Sequence, residues 1–382
     1  MNYFEELRKS NSGYFRYLIP VIVLAALSLY TYGSIDYANP AYSTWELHDY
    51  SRMAAASPHL DLSVRQPFIY RLLGPFLAGL LPVPVGLGFH LLTSFSAVLL
   101  AVLFFLYLSR SINDPAIACL MTCVFILNKY LFGFPVWNYF QLDDILSFIE
   151  IILLLWNMER QRWLLYGVVL FLGSLTRETP MLMIPVTLVF LIEKKIIRTD
   201  WRLFLLSIIP AIGSTIMMRV LIVPTEGNTI WDAFAMYSGK TFSPETWFRL
   251  LINSFIPLSL IPVLYYKRTV EYLRRHVYAF VFMLLVIVST FFGLNIERLM
   301  APASVIFYSL TGLIIAEEIK NNKALIWIIM VCAVLSNLHH AYARFPLPRE
   351  ATIALSIASL ILVTAAVVFY RFRNQEIPTM IM

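Results

Sequence analysis

The sequence predicts an all-α polytopic membrane helical bundle of about 12 transmembrane helices (10–13), and three observations carry that prediction. Hydrophobic residues make up 59% of the 382 positions and charged residues only 14%, with a mean hydropathy of +0.73. A soluble domain carries roughly 25% charged residues. The apolar residues fall into runs of membrane-crossing length, and the basic residues collect in alternate connections between those runs. The net charge of +6 therefore reads as an orientation signal rather than a nucleic-acid footprint.

The first run follows Arg8, Lys9 and Arg16 and covers about 15–33. Its basic flank resembles that of a signal sequence, but no small-residue cleavage site follows, so a retained span is expected. Further runs lie near 84–108, 115–133, 142–157, 163–176, 179–193, 203–223, 250–266, 277–294, 301–316, 324–341 and 350–370. The pair over 163–193 is short and also suits one long broken helix. No internal repeat is visible, so residues 1–382 read as a single integral membrane domain. With the N-terminus inside, most of the 29 Lys and Arg residues fall in short cytoplasmic connections, and the C-terminus is cytoplasmic too. Cys119, Cys123 and Cys332 lie within apolar runs, which predicts neither a disulfide framework nor a zinc site. No Asn-x-Ser/Thr sequon occurs, a composition that suits a bacterial cytoplasmic membrane.

Two outer connections are long, 34–83 and 224–249, and loops beyond about 12–15 residues usually carry function. The first opens with STWELHDYSRMA (43–54), in which Glu46, His48, Asp49 and Arg52 crowd together. Alone, that stretch suits a solvated loop near the headgroups; Asp49 also suits a general base if a substrate hydroxyl comes within reach. The same connection holds RQPFIYRLLGPFLAGLLP (65–82). Its prolines, Arg65 and Arg71 argue against a full span and for an amphipathic juxtamembrane helix at the membrane surface.

Three more groups fall on the same outer side. In FGFPVWNYFQLDDIL (132–146), Asp143 and Asp144 precede an apolar helix, where carboxylates ordinarily serve the helix N-terminus. Glu150 shares the face of Asp143, and an ionisable group at membrane depth costs about 2.5–3.5 kcal/mol on insertion scales. The stripe Asp143, Ser147, Glu150 is thus expected to face the bundle interior. In GSLTRETPM (173–181), Arg177 and Glu178 read either as a mutual ion pair in a turn or as a cation for an anionic headgroup. NIERLMAPAS (295–304) places Glu297 and Arg298 at the end of a span, where an arginine often snorkels. Lys240 and Arg249 flank aromatic residues in the second long loop, and His339 and His340 read as interfacial. Arg65, Arg71, Arg177 and Arg298 put positive charge outside against the general trend. An anionic phosphate handled beside a carboxylate base would account for it.

ELHDYSRMA (46–54), RQPFIYRLLGPFLAGLL (65–81), QLDD (141–144), LTRETPMLMIP (175–185) and ERLMAP (297–302) together resemble the GT-C glycosyltransferases, membrane enzymes that use polyprenyl-phosphate-linked sugars. The resemblance implies a GT-C-like fold and an inverting hexosyl- or pentosyltransferase. Asp49 is then the catalytic base, with Glu46 as its nearest substitute. Arg177 and Arg298, then Arg65 and Arg71, bind the donor phosphate. His48, Arg52, Asp143, Asp144, Glu178 and Lys240 help place substrate. The implied partners are the polyprenyl-phosphate-linked sugar, a glycan, lipid or protein acceptor, and membrane lipids, with no nucleic acid. No cofactor is called for: His48, Asp49, Asp143 and Asp144 could ligate a divalent metal, but their spacing does not specify a site. Two rival readings stay open. A secondary transporter would place coupling charges near the midplane in paired repeats, and Glu150 is its best support. An O-antigen polymerase or ligase would carry its dominant outer loop late in the chain.

Overall fold

A computed structural model of the chain describes residues 13–223, 227, 229–293, 295–338, 344 and 347–375. His339, His340, Arg8, Lys9 and both termini lie outside the described residues. Helix follows helix, and no strand occurs among the described residues beyond an isolated bridge between Gln66 and Gly227.

In chain order the helices are α1 (Gly13–Tyr32), α2 (Leu47–Ala56), α3 (Leu73–Gly79), α4 (Val85–Ile112), α5 (Pro115–Leu127) and α6 (Phe134–Trp137). Then come α7 (Leu142–Glu159), α8 (Trp163–Thr176), α9 (Met183–Glu193), α10 (Ile197–Leu221), α11 (Ile230–Thr241) and α12 (Pro244–Asn253). The chain closes with α13 (Ile261–Leu264), α14 (Tyr266–Arg275), α15 (Val277–Ser289), α16 (Ile296–Leu299), α17 (Ser304–Ile314), α18 (Lys323–Ser336) and α19 (Arg349–Gln375).

Among the described residues five helical stretches are long and apolar enough to cross a membrane: Tyr14–Tyr32, Val85–Ile112, Ile197–Leu221, Ile296–Ile319 and Arg349–Arg373. Two bent pairs raise the number to 7 if each is one span. The gap between this number and the dozen expected segments has a physical cause. Trp163–Thr176, Thr179–Glu193 and Lys323–Ser336 are apolar but short, and at about 1.5 Å per residue they fall short of a hydrocarbon core about 30 Å thick. α7 has the length but carries Asp143, Asp144, Glu150 and Glu159. The segment expected over 250–266 is broken: α12 stops at Asn253, and Pro257 and Pro262 remove backbone donors from the rest of it. The second long loop is itself largely helical, as α11 and α12.

α4 and the stretch Ile296–Ile319 form the interior. In the most apolar 18-residue window of the latter 83% of residues are buried, and Tyr308 packs edge-on to Phe104 at 5.9 Å and to Phe125 at 6.0 Å. α1 and α10 are peripheral, exposing Phe15, Leu27, Ile209, Ile216 and Val220, as lipid-facing helices do. The connection 34–83 folds back over the bundle end as α2 and α3. Gly79 makes this possible, since a Cβ there would run into the Ala54 carbonyl. α3 buries Gly74, Pro75 and Ala78 and exposes Phe76 and Leu77; it carries no polar side chain, so the helix found within 65–82 is apolar on both faces rather than amphipathic. The start of α7 and the end of α8 meet α2 and α3 there. At the opposite bundle end Glu159 accepts from Tyr107 at 3.2 Å and Tyr278 at 3.3 Å, and Arg268 lies 3.1 Å from Glu318.

Candidate functional site

The site is built where α2 and α3 cap the ends of α7, α8 and α16. Glu46 is the N-cap residue of α2 but its side chain makes no capping bond. It reaches instead to Arg298, whose Nη1 donates at 2.7 Å, and to Gln141, whose Nε2 also donates at 2.7 Å. Asp49, one turn on, is 6% exposed and takes the Arg65 Nε proton on Oδ2 at 2.7 Å, while Arg65 Nη2 donates to the Thr44 carbonyl at 2.9 Å. Tyr50 accepts from Arg71 Nη1 at 3.1 Å. A single helical turn thus meets three arginines.

Arg177 ends α8 in extended backbone, with φ −165° and ψ 165°. Consecutive side chains on extended backbone diverge, so Arg177 and Glu178 do not pair with each other. Arg177 turns inward onto Asp144, and Glu178 turns to Arg71 at 3.1 Å and Arg219 at 3.9 Å. On α16 the neighbours Glu297 and Arg298 part likewise. Glu297 takes Arg249 at 2.8 Å and Asn253 at 3.2 Å, while Arg298 reaches Glu46 and comes within 3.1 Å of Asp144. Asp144 therefore sits between Arg177 and Arg298. Neither Asp143 nor Asp144 caps α7, whose N-cap residue Gln141 makes no capping bond either. Asp143 Oδ1 accepts instead from the Gly74 amide at 3.1 Å. Asp143, Ser147 and Glu150 are all buried, and Thr176 donates to Glu150 at 2.6 Å.

Charges this deep are expensive even when paired, and the pairing is incomplete. Arg71 Nε and Asp143 Oδ2 are buried without a hydrogen-bond partner, and Arg298 Nε and Asp144 Oδ2 approach without the alignment a hydrogen bond needs. Burial would raise the Glu46 carboxyl, but Arg298 outweighs it and holds the group at about 2. Burial also works against the Glu178 carboxylate, and Arg71 more than offsets it, leaving its pKa lowered. For Arg177 burial comes first, then the charges of Arg71 and Arg298, all lowering its pKa. Three crowded guanidiniums make this a place where added negative charge is stabilised.

Tyr130, Asp144, Ser147, Arg177, Thr179 and Arg298 form the polar part of a narrow cleft, and Leu100, Ile145 and Phe148 line its apolar part. An ionic section continued by an apolar one suits an amphiphile with an anionic head. A second, polar cleft lies beyond α16, lined by Lys240, Ser243, Glu245, Thr246, Arg249 and Glu297.

The structure brings together Glu46, Asp49, Arg65, Arg71, Asp143, Asp144, Arg177, Glu178 and Arg298 of the sequence candidates. Lys240 belongs to the second cleft. Arg52 points away to Asp61 at 3.3 Å. His48 stacks obliquely beside Tyr37, 5.0 Å between centroids, and its buried Nε2 has no partner. Gln141, Tyr50, Tyr130 and Thr179 escaped the sequence reading, since an uncharged residue beside a charged one carries no signal until the contact is seen. No group of three His, Cys, Asp or Glu residues placed to hold a metal occurs among the described residues.

Fold and cluster together define an all-helical integral membrane protein with a buried arginine–carboxylate site at one end of its bundle. Compared with protein families, curated proteins and solved structures, the chain finds no match in any of the three.

Proposed function

We propose that the protein is a GT-C-like glycosyltransferase that moves one sugar from a polyprenyl-phosphate donor to a glycan, lipid or protein acceptor with inversion. The observation that carries this reading is the placement of Arg177 and Arg298 around Asp144 beside a cleft with an apolar interior. The two guanidiniums take the donor phosphate and Asp144 is the counter-ion that phosphate displaces. Arg71 adds a third charge, anchored by Tyr50 and Glu178. Asp49 is the base and Arg65 orients it, leaving Oδ1 to receive the acceptor's hydroxyl proton. The acceptor oxygen then attacks the anomeric carbon from the face opposite the phosphate. The carbon–oxygen bond to phosphate breaks with its electron pair on the leaving oxygen, where the arginines stabilise the charge. Glu46, clamped by Arg298, is a positioning residue in this scheme. The site faces outward from a bacterial cytoplasmic membrane, with both termini in the cytoplasm.

The test is binding of undecaprenyl phosphate, with undecaprenol as the uncharged comparison, to wild type and to Arg177→Ala and Arg298→Ala. Charge-assisted hydrogen bonds contribute about 1.5–3 kcal/mol each, so each variant should lose roughly 10- to 150-fold for the phosphate and little for the alcohol. Equal binding of alcohol and phosphate by folded wild-type protein removes the basis of the proposal. Buried Asp143 and Glu150 favour one second reading, proton-coupled transport. That reading requires substrate-driven proton movement in sealed vesicles, abolished by Glu150→Gln.

A further inference from the structure

At the bundle end opposite the arginine cluster, α14 turns 104° away from the axis of the next apolar helical stretch, Val277–Phe292. If that stretch crosses the membrane, α14 lies along the membrane surface. Its sequence, YKRTVEYLRR, sorts its side chains accordingly. At about 100° per residue, Tyr266, Val270 and Leu273 share one stripe, and Lys267 and Arg274, seven residues apart, border it on one side. Tyr266 is 57% and Val270 42% exposed and Leu273 is half-buried, so among the described residues nothing covers the Tyr266–Val270 part of this stripe. The helix is nonetheless held in place. Thr269 donates to the Pro262 carbonyl at 2.7 Å, and Arg371 donates to the Leu264 carbonyl with its guanidinium 5.4 Å from the Tyr265 ring centre.

The four cations of α14 fall into two classes. Arg268 turns to Glu318 at 3.1 Å, Glu271 at 3.6 Å and Glu317 at 3.7 Å, and Arg275 pairs with Glu271. These carboxylates leave Lys267 and Arg274 uncompensated: among the described residues neither takes an ion pair or a hydrogen bond. The two uncompensated cations are the pair that borders the exposed apolar stripe. A site for an isolated soluble anion has no use for the stripe, and an acidic protein would equally well meet cations placed anywhere on the helix. Cations level with phosphates and an apolar edge below them match the layering of a phospholipid surface.

We infer that α14 binds anionic phospholipid, with Lys267 and Arg274 on the lipid phosphate and headgroup and Tyr266 and Val270 at the start of the acyl chains. The inference needs only that the bundle spans a membrane and is independent of the reaction proposed above.

Full-length protein in neutral detergent, titrated with phosphatidylglycerol or phosphatidylcholine and read by native mass spectrometry, tests it. Wild type should hold phosphatidylglycerol preferentially. A basic residue near an anionic surface contributes about a fivefold gain, so Lys267→Gln with Arg274→Gln should weaken phosphatidylglycerol by roughly 25-fold and phosphatidylcholine little. Arg268→Gln, its charge already engaged by carboxylates, should change neither. Val270→Ser keeps both cations and should weaken the two lipids alike. Three results would each overturn the inference: no preference in wild type, full preference in the double variant, or displacement of phosphatidylglycerol by equimolar inorganic phosphate. Unchanged binding in Val270→Ser would do so as well, by removing the apolar stripe from the contact.

Discussion

Glu46→Gln keeps the shape of the side chain and removes its charge from beside Arg298. Burial pushes the Glu46 carboxyl up, but the Arg298 charge, and hydrogen bonds from Arg298 and Gln141, bring it from an ordinary 4.5 to about 2. A shift of this size corresponds to roughly 3 kcal/mol, an upper figure for a carboxylate whose side chain is 19% exposed. The folded value lies below the unfolded one. The stabilisation is therefore fully present above about pH 4.5 and lost as pH falls towards 2. Gln has no such dependence. The gap in unfolding free energy between wild type and Glu46→Gln, measured by SDS unfolding in mixed micelles, should be about 3 kcal/mol at pH 7 and about 1.5 kcal/mol at pH 3. A gap of equal size at both pH values would mean that the pair with Arg298 is not what holds the charge, and the geometry assigned to the centre of the site would be wrong.

Asp49→Asn should lower sugar transfer by at least about 100-fold, the usual contribution of a positioned base, while leaving undecaprenyl phosphate binding intact; an unaffected transfer rate refutes the base assignment. Asp144→Asn should tighten phosphate binding roughly tenfold, about 1.4 kcal/mol, because it removes part of the repulsion of about 4 kcal/mol between like charges about 4 Å apart. Isothermal titration with the lipid phosphate reads this directly, and weaker binding would show that Asp144 contacts substrate instead. Gly79→Ala forces α3 away from the Ala54 carbonyl and should cost about 1–3 kcal/mol, seen as a lowered melting midpoint with loss of lipid-phosphate binding.

Much of the fold was legible because membrane helices announce themselves by composition. The expected segments at 15–33, 84–108, 163–176 and 350–370 lie within a few residues of α1, α4, α8 and the core of α19, since the polar or proline residues that end them are local signals. The segment at 250–266 misled because hydrophobicity does not distinguish a span from a buried, proline-broken turn: Ile256 and Leu258 are fully buried without being helical. The site was legible residue by residue but not contact by contact. Arg177 beside Glu178 reads as an ion pair in the sequence, and the extended backbone at Arg177 splits it in the structure.

The sequence by itself determined that this chain belongs in a membrane, that its charges are scarce, and that those out of place gather in four short stretches. Charge and hydropathy are properties of residues, so they survive without coordinates. Only the tertiary structure decided which charge answers which. Glu46 meets Arg298 across some 250 positions of sequence and Arg71 meets Glu178 across about 107. Such pairings depend on how the caps α2 and α3 fold onto the bundle, and on a peptide turn that sends neighbouring side chains to opposite sides. The low dielectric in which they meet then turns an ordinary set of polar residues into a site where negative charge is stabilised.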